Sequence, residues 1–224
     1  RKIFGLKYAV LTHGTDVWTL RHGLKYDGLK YADVITAVSA YTKNKMVDNG
    51  IPVNKIKLIQ DTIDTSLFYT REVKKDLRNE LSVYNKKILL TVGRINSAEK
   101  YKGHDIMLEV MQKISNDYVW VVIGDVDDLP RLLRNAKEMG VAGKTRFVGT
   151  VKNEDLIDYY NLCDLFIMPS KGEGFGIVFL EAMACGKPVI AGNCDGSMEP
   201  LMEGRLGFMV NPDSREEILH TINY

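Results

Sequence analysis

The stretch DLFIMPSKGEGFGIVFLEAMACGKPVIAG, residues 164–192, contains a complete strand–helix–strand pattern. An apolar run, LFIM, precedes a glycine-rich turn and a largely apolar helical segment. Gly186 and Pro188 then end that helix before a second apolar run, PVIAG. Continuous apolar strands joined by a helix are typical of a parallel sheet that is covered on both faces. The stretch therefore predicts an α/β fold.

The same alternation extends over residues 86–224. Further strand-like runs, KILLTVG, YVWVVIGD, KTRFVG and LGFMV, are separated by segments with helical periodicity. Two of these helices show apolar faces, formed by Ile106, Met107, Val110, Met111 and Ile114 in the first and by Leu129, Leu132, Leu133, Ala136 and Met139 in the second. This region is predicted to form one complete doubly wound Rossmann-like domain.

The front of the chain predicts part of a second unit of the same kind. YAVLTHG, DVITAVS and KIKLIQ indicate strands, and a helical stretch covers residues 20–32. Ser39 is expected to cap a further helix that ends at Gly50. We place a partial amino-terminal domain with its junction at residues 1–70 and the carboxyl-terminal domain at 71–224. Because the chain opens with Arg1 and stops within a helical pattern, we expect that both ends are cut from a longer protein.

Composition excludes several classes of function. The 30 basic and 29 acidic side chains leave a net charge of +1, so no overall field favours nucleic acid. No apolar run reaches the roughly 20 residues of a membrane-spanning helix, and no signal peptide is visible. The 3 cysteines lack metal-ligand spacing and are interpreted as buried free thiols in a reducing compartment.

The loop that follows ILLTV is basic. It begins at a glycine turn, Gly93, and carries the cations Arg94, Lys100, Lys102 and His104. Such a cluster suits a diphosphate, because arginine offers a fork of donors and lysine a point charge. A solvated basic loop, balanced by neighbouring acids, explains the pattern equally well.

The glycine-rich loop KGEGFG contains one acid, and the helix after it contains another. Gly174, Phe175 and Gly176 place backbone N–H groups at the start of that helix, where an anion can bind. Glu181 lies about five residues further on, or roughly 7–8 Å along the helix axis, near the distance from a phosphate to its ribose. Its carboxylate could accept the ribose hydroxyls, or it could be a structural acid paired with Lys187.

Two other loops carry polar residues. Asp127 and Asp128 follow a strand, but no partner carboxylates stand at ligand spacing, so we interpret them as helix caps and predict no metal site. His13 and Asp16, in THGTD, end the first strand and are either placed for chemistry or plain turn formers. The sequence lacks the motifs of phosphate-loop proteins, of dinucleotide-binding dehydrogenases and of nucleophile-elbow hydrolases.

Taken together, VGR…YKGHD, FVG and EGFGIVFLEAMACGKPVIAG resemble the carboxyl-terminal half of retaining glycosyltransferases of the GT-B fold, family 4. THGTD, ADVITAVSAYTK and DTIDTSLF resemble the end of that family's amino-terminal domain. The combination of two glutamates that have seven residues between them with an upstream Arg and Lys is specific, whereas each piece alone is weak. The resemblance implies a GT-B-type chain with one complete Rossmann-like domain and part of a second.

The resemblance also implies roles for individual residues. Gly93, Arg94 and Lys102 would hold the donor diphosphate, and the backbone of Gly174, Phe175, Gly176 and Ile177 would lie over sugar and phosphate. Glu181 would bind the ribose, and the backbone near Val151 would contact the base. The implied catalytic residues are Glu173, which would contact the donor sugar, and His13, which would reach it across the cleft.

The implied activity is hexosyl transfer from a nucleoside diphosphate sugar to a hydroxyl of a glycan or lipid-linked acceptor, with retention at the anomeric carbon. No cofactor or metal is expected, because Arg, Lys and helix N–H groups neutralise the diphosphate. A non-catalytic nucleotide-binding module or subunit of GT-B fold is the alternative. The expected location is cytoplasmic or peripheral at the inner membrane face, through the missing part of the amino-terminal domain. The 224 residues alone are expected to be an incomplete catalytic unit.

Overall fold

The structure is a computed structural model that describes residues 6–20, 23–73, 76–124 and 127–224. Every strand-like run named above is a strand in it. The strands are β1 (Ala9–Thr12), β2 (Val34–Ala37), β3 (Ile56–Leu58), β4 (Lys87–Val92), β5 (Tyr118–Ile123), β6 (Thr145–Gly149), β7 (Leu165–Met168), β8 (Val189–Gly192) and β9 (Phe208–Val210).

Helices connect these strands, as the periodicity predicts. They are α1 (Thr15–Trp18), α2 (Leu24–Tyr31), α3 (Ala40–Asp48), α4 (Leu77–Glu80), α5 (His104–Lys113), α6 (Leu129–Glu138), α7 (Asn153–Leu162), α8 (Ile177–Ala184) and α9 (Arg215–Ile222). The helical stretch predicted over 20–32 is observed as α2, and its residues 21 and 22 lie outside the described residues. The Ser39 hydroxyl accepts a 2.9 Å hydrogen bond from the Thr42 N–H, which confirms the predicted cap of α3.

Two parallel sheets result. β1, β2 and β3 form a small sheet in that order, and the larger sheet has the order β6-β5-β4-β7-β8-β9. The larger sheet has the strand order of a doubly wound nucleotide-binding domain. Strands are added on one side of β4 as far as β6 and then on its other side from β7 to β9, so the strand order reverses between β4 and β7. The α/β prediction is therefore confirmed, and the switch point fixes where a ligand is expected, beyond the carboxyl ends of β4 and β7.

The predicted apolar faces are mostly buried. In α5, Met107, Val110 and Met111 are buried against the sheet, while in α6 only Leu132 and Ala136 are fully buried and Leu133 is 49% exposed. Leu133 remains exposed because the part of α6 in contact with the sheet is narrower than its apolar stripe. The larger sheet is thus covered on both faces, by α5, α6 and α9 on one side and by α7 and α8 on the other. We call the larger sheet with these helices the larger domain, and the small sheet with α1, α2 and α3 the smaller domain.

The cysteines follow the prediction in two cases and depart from it in one. Cys163 and Cys185 are buried in the core beside α7 and α8, whereas Cys194 is exposed. Cys194 follows β8 at the carboxyl edge of the sheet, where the chain leaves the core, so its apolar neighbours in sequence do not bury it. Among the described residues, no helix combines the length and the apolar character needed to cross a membrane.

Candidate active site

A pocket of about 290 Å³ opens between the two sheets at the switch point. Both parts of the chain line it. The lining residues are His13, Asp61, Val92, Gly93, Arg94, Lys102, Glu173, Gly174, Phe175, Gly176, Ile177 and Val178. All the residues that the sequence assigns to diphosphate and sugar binding, and both candidate catalytic residues, therefore meet at one place.

The basic loop supplies two cations to this pocket. Arg94 follows β4 directly and is exposed, while Lys102 is only 8% exposed. The Lys102 ammonium forms an ion pair with Glu173 and lies 5.4 Å from the ring centre of Tyr101. Gly93 leaves the space that the Lys102 side chain occupies, since a Cβ at Gly93 would lie 3.3 Å from Lys102 Cδ. Lys102 is therefore folded into the pocket, whereas Arg94 at the pocket's border and Lys100 remain exposed.

His104, counted among the cations of this loop, is not one at neutral pH. Its side chain is buried beside Trp120 at the start of α5, and its Nε2 atom has no hydrogen-bond partner among the described residues. Burial, together with the nearby positive charge of Lys102, lowers the pKa of His104 to about 4. The sequence placed it with Arg94 and Lys102 only because it is close to them along the chain.

The glycine-rich loop at residues 171–176 packs closely against the amino-terminal part of the chain. A Cβ on Gly174 would lie 2.0 Å from the carbonyl oxygen of His13, so only glycine allows this approach. Gly176 has a φ of 88° and ends the loop at the start of α8. Ile177 and Val178, the first two residues of α8, line the pocket at this turn, and backbone N–H groups at a helix start have no acceptor within their own helix.

A buried acid that the sequence analysis missed holds the glycine loop. Asp195 is 2% exposed, and its Oδ2 atom accepts hydrogen bonds from the Glu173 N–H at 2.7 Å and the Ser170 hydroxyl at 2.8 Å. Its Oδ1 atom accepts from the Ser197 N–H at 3.0 Å. Asp195 thereby fixes the backbone of Glu173. It comes from the turn after β8, so no local spacing in the sequence connects it with Glu173.

Glu181 has a partner, but not the one considered from the sequence. Its Oε2 atom accepts a 2.6 Å hydrogen bond from the Tyr160 hydroxyl of α7, whereas Lys187 donates to the carbonyl oxygen of Asn161. Burial raises the pKa of the Glu181 carboxyl, and the Tyr160 hydrogen bond partly offsets that rise. The pairing with Lys187 was wrong, and the carboxylate in its apolar helix is satisfied instead by a buried phenol.

Glu181 also borders a second, larger space. This space has a volume of about 950 Å³ and lies between the first half of α7 and the junction at residues 66–71. Val178, one helical turn before Glu181, lines the smaller pocket, so one side of α8 borders both. Val151 lines neither space. It is partly buried against the core next to Lys152, which does line the larger space.

Two residues of the amino-terminal part complete the pocket. The His13 side chain is 66% exposed, and its Nδ1 atom lies 3.9 Å from Asp61 Oδ1. Asp16 accepts a 3.2 Å hydrogen bond from the His13 N–H, so it holds the turn and does not line the pocket. Asp61 was not singled out from the sequence, because it lies in an irregular segment after β3 without a motif.

The two aspartates before α6 are not the caps that we predicted. Asp128 stands at the cap position but makes no capping hydrogen bond, because its carboxylate is bound to the Arg131 guanidinium at 2.6 Å. Asp127 accepts a 3.4 Å hydrogen bond from Asn96. Among the described ranges, no group of three or more His, Cys, Asp or Glu side chains is placed to hold a metal ion.

Comparison with known proteins identifies relatives of this chain. The family model described as "Glycosyl transferases group 1" matches residues 73–224. The chain is 28% identical over 216 residues to the GDP-mannose-dependent alpha-(1-6)-phosphatidylinositol monomannoside mannosyltransferase of Mycolicibacterium smegmatis, covering 89% of the chain and 56% of that protein. It is 27% identical over 212 residues to the N-acetyl-alpha-D-glucosaminyl L-malate synthase of Bacillus anthracis, covering 91% and 54% respectively.

Solved structures also superpose on this chain. Anabaena HepE, crystallised in complex with UDP and glucose, superposes with a TM-score of 0.83 at 25% identity over 95% of this chain and 60% of that one. A glycosyltransferase from Rickettsia africae gives a TM-score of 0.83 at 25% identity over 100% and 61%. The chain spans little more than half the length of the relatives it matches. The likeness confirms the GT-B-type, Rossmann-like architecture.

Proposed function

The chain belongs to the group 1 glycosyl transferases, and from that premise we propose that its pocket binds a nucleoside diphosphate sugar. The protein transfers the sugar to a hydroxyl group of a glycan or lipid-linked acceptor, with retention at the anomeric carbon. Two relatives support such a donor, since one is a GDP-mannose-dependent mannosyltransferase and the other was crystallised with UDP and glucose.

One observation carries the proposal. Arg94, Lys102 and the first turn of α8 border the same small pocket, so a fork of donors, a point charge and a set of backbone N–H groups converge on it. These three elements suit the two phosphates of a leaving nucleoside diphosphate, whose negative charge grows as the bond to the sugar breaks. These groups neutralise the negative charge of the diphosphate in place of a metal ion, and transfer proceeds without one.

The remaining residues divide between the two ends of the donor. Glu173, fixed by Asp195, lies at the sugar end with His13 and Asp61, where its carboxylate accepts hydrogen bonds from sugar hydroxyls and stabilises positive charge at the anomeric carbon. Glu181 lies one helical turn after Val178 on α8, where it accepts the ribose hydroxyls while Tyr160 holds it. The base of the nucleotide then lies near the backbone of Val151, two residues before the start of α7.

The acceptor and the location are part of the same proposal. A glycan or lipid-linked hydroxyl approaches the sugar from the amino-terminal side of the pocket, where His13 is exposed. A cytoplasmic protein, peripheral at the inner face of a membrane, meets both the soluble donor and such an acceptor.

The test uses the full-length protein that contains this chain, supplied with nucleotide sugars and candidate acceptors. Release of nucleoside diphosphate that depends on acceptor, with an unchanged anomeric configuration in the product by NMR, is expected. Nucleotide binding without acceptor-dependent release would instead indicate a binding module, and inversion at the anomeric carbon would refute retention.

A further inference from the structure

A carboxylate of the larger domain caps a helix of the smaller one. Glu199 Oε1 accepts a 2.5 Å hydrogen bond from the Ala40 N–H and a 3.3 Å hydrogen bond from the Tyr41 N–H. These are the first two residues of α3, and 159 residues separate Ala40 from Glu199. An acid at this end of a helix satisfies N–H groups that have no acceptor in the helix and interacts favourably with its dipole.

The same carboxylate also holds the segment after β3. Glu199 Oε2 accepts a 3.0 Å hydrogen bond from the Gln60 side chain. Gln60 directly precedes Asp61, which lines the donor pocket and faces His13. One side chain of the larger domain thus fixes two separate elements of the smaller domain.

A second contact lies beside the first. Thr42, two residues after Ala40 in α3, donates from its hydroxyl to the Gly174 carbonyl oxygen at 3.3 Å. Gly174 in turn is in close approach to His13 and Gly14. The start of α3 is therefore attached both to Glu199 and to the loop that carries Glu173, and His13 and Asp61 are held over the pocket from the opposite side.

We infer that Glu199 is a positioning residue for sugar transfer, acting through α3 and Gln60 to keep His13 and Asp61 in place over the donor sugar. Its carboxylate does not line the pocket. The catalytic part of this inference rests on the proposed function, whereas the attachment of α3 does not. The diphosphate contacts, from Arg94, Lys102 and α8, all belong to the larger domain, so they do not depend on Glu199.

Two variants break the contact from opposite sides. Glu199→Ala removes the carboxylate, and Ala40→Pro removes the N–H that it binds. Proline is suited to the first position of a helix, and Ser39 before it is extended, at φ −150° and ψ 159°, as a residue before proline must be. α3 should therefore form in both variants. Glu199→Gln, which keeps one acceptor oxygen, serves as a conservative variant, and Glu203→Gln changes an exposed acid nearby as a control.

Three readouts separate positioning from a general defect. Transfer rate and nucleoside diphosphate affinity are measured on the full-length protein. Iodide quenching of tryptophan fluorescence reports the attachment itself. Of the 2 tryptophans in these 224 residues, Trp120 is fully buried, while Trp18 packs at 5.4 Å on the Tyr41 ring, next to the Gly14–Gly174 contact. The part of the quenching that Trp18→Phe removes from the full-length protein therefore reports on Trp18.

We expect Glu199→Ala and Ala40→Pro each to lower the transfer rate roughly tenfold or more, as misplacement of positioning groups does, and to increase iodide quenching. Nucleoside diphosphate affinity should be unchanged, Glu199→Gln should be intermediate, and Glu203→Gln should match wild type. The double variant should be no slower than Glu199→Ala, because Ala40→Pro removes one of the hydrogen bonds that Glu199→Ala already removes.

Normal transfer with normal quenching in either single variant would overturn the inference, as would losses that multiply in the double variant. A loss of diphosphate affinity in both variants would indicate a general folding defect instead. If the wild-type protein transfers no sugar, the proposed function fails. The quenching of the single and double variants then still decides whether Glu199 holds α3.

Discussion

Lys102→Met removes the buried cation of the donor pocket while keeping most of the side chain's volume. Lys102 is 8% exposed and is ion-paired with Glu173. Hydrogen bonds to charged groups contribute about 1.5–3 kcal/mol. At 1.36 kcal/mol per factor of ten, we expect nucleoside diphosphate affinity to fall about 10- to 150-fold. Nucleoside affinity should be nearly unchanged, because the proposed ribose contact at Glu181 lies one helical turn further along α8 and outside this pocket.

The same substitution should also destabilise the unliganded protein. Loss of the ammonium removes one charged partner from the Glu173 carboxylate, whose side chain is 14% exposed, and a hydrogen bond to a charged group contributes about 1.5–3 kcal/mol. Adding Glu173→Gln removes that charge, so the double variant Lys102→Met/Glu173→Gln should regain stability without regaining diphosphate affinity. Stability and binding are thereby measured separately.

Isothermal titration calorimetry with a nucleoside diphosphate and with the matching nucleoside measures both affinities, and chemical denaturation measures stability. Lys100→Met is the matched control, since Lys100 is an exposed cation in the same loop and does not line the pocket. Equal losses of nucleoside and diphosphate affinity in Lys102→Met would refute the reasoning. An equal effect of Lys100→Met would do so as well, because the loop would then act only through its overall charge.

Four further outcomes are expected. Glu181→Gln should weaken binding of ribonucleotides and lose discrimination against 2′-deoxy analogues; preserved discrimination in a calorimetric comparison would make Glu181 only a structural partner of Tyr160. Glu173→Gln should lower the transfer rate by at least roughly 10²-fold with diphosphate affinity unchanged or higher, whereas normal turnover with a lower melting temperature would leave it only a structural role. Transfer should survive EDTA, and activity lost to chelation and restored by Mg²⁺ or Mn²⁺ would contradict the metal-independent proposal. Burial lowers the pKa of His104 to about 4 in the folded protein, below its unfolded value of 6.5. Its contribution to the free energy of unfolding is therefore fully present above pH 6.5 and is lost as the pH falls toward 4. Relative to His104→Leu, wild type should lose about 3 kcal/mol of unfolding free energy between pH 7 and pH 4, and parallel pH profiles in denaturant titrations would disprove this.

Most of the fold could be predicted from local patterns. Strands buried on both faces are continuous apolar runs, and the turn chemistry at Gly186 and Pro188 ends α8 where expected. The cap at Ser39 was also predictable, because a capping hydrogen bond joins residues three apart. Leu133 shows the limit of periodicity, which finds an apolar stripe but not how much of it the sheet covers.

The site was predictable where its residues follow the carboxyl ends of parallel strands and unpredictable where partners come from other elements. Arg94, Lys102 and Glu173 follow strand ends, so the topology of a parallel sheet brings them together. Asp195 and Tyr160 contact the two glutamates from other elements, and no spacing encodes those contacts. His104 shows the converse case, since it neighbours Lys102 in sequence but points into the core.

The central claim is that the pocket between the two sheets binds the diphosphate of a nucleotide sugar. Thermal unfolding of the wild-type protein and of Arg94→Ala with UDP, GDP and ADP tests it most directly. At 100 times its dissociation constant a ligand stabilises the folded state by about 2.7 kcal/mol, so at least one of the three should raise the melting temperature of the wild type and raise that of Arg94→Ala less. No shift with any of the three, or the same shift in Arg94→Ala, would contradict the claim.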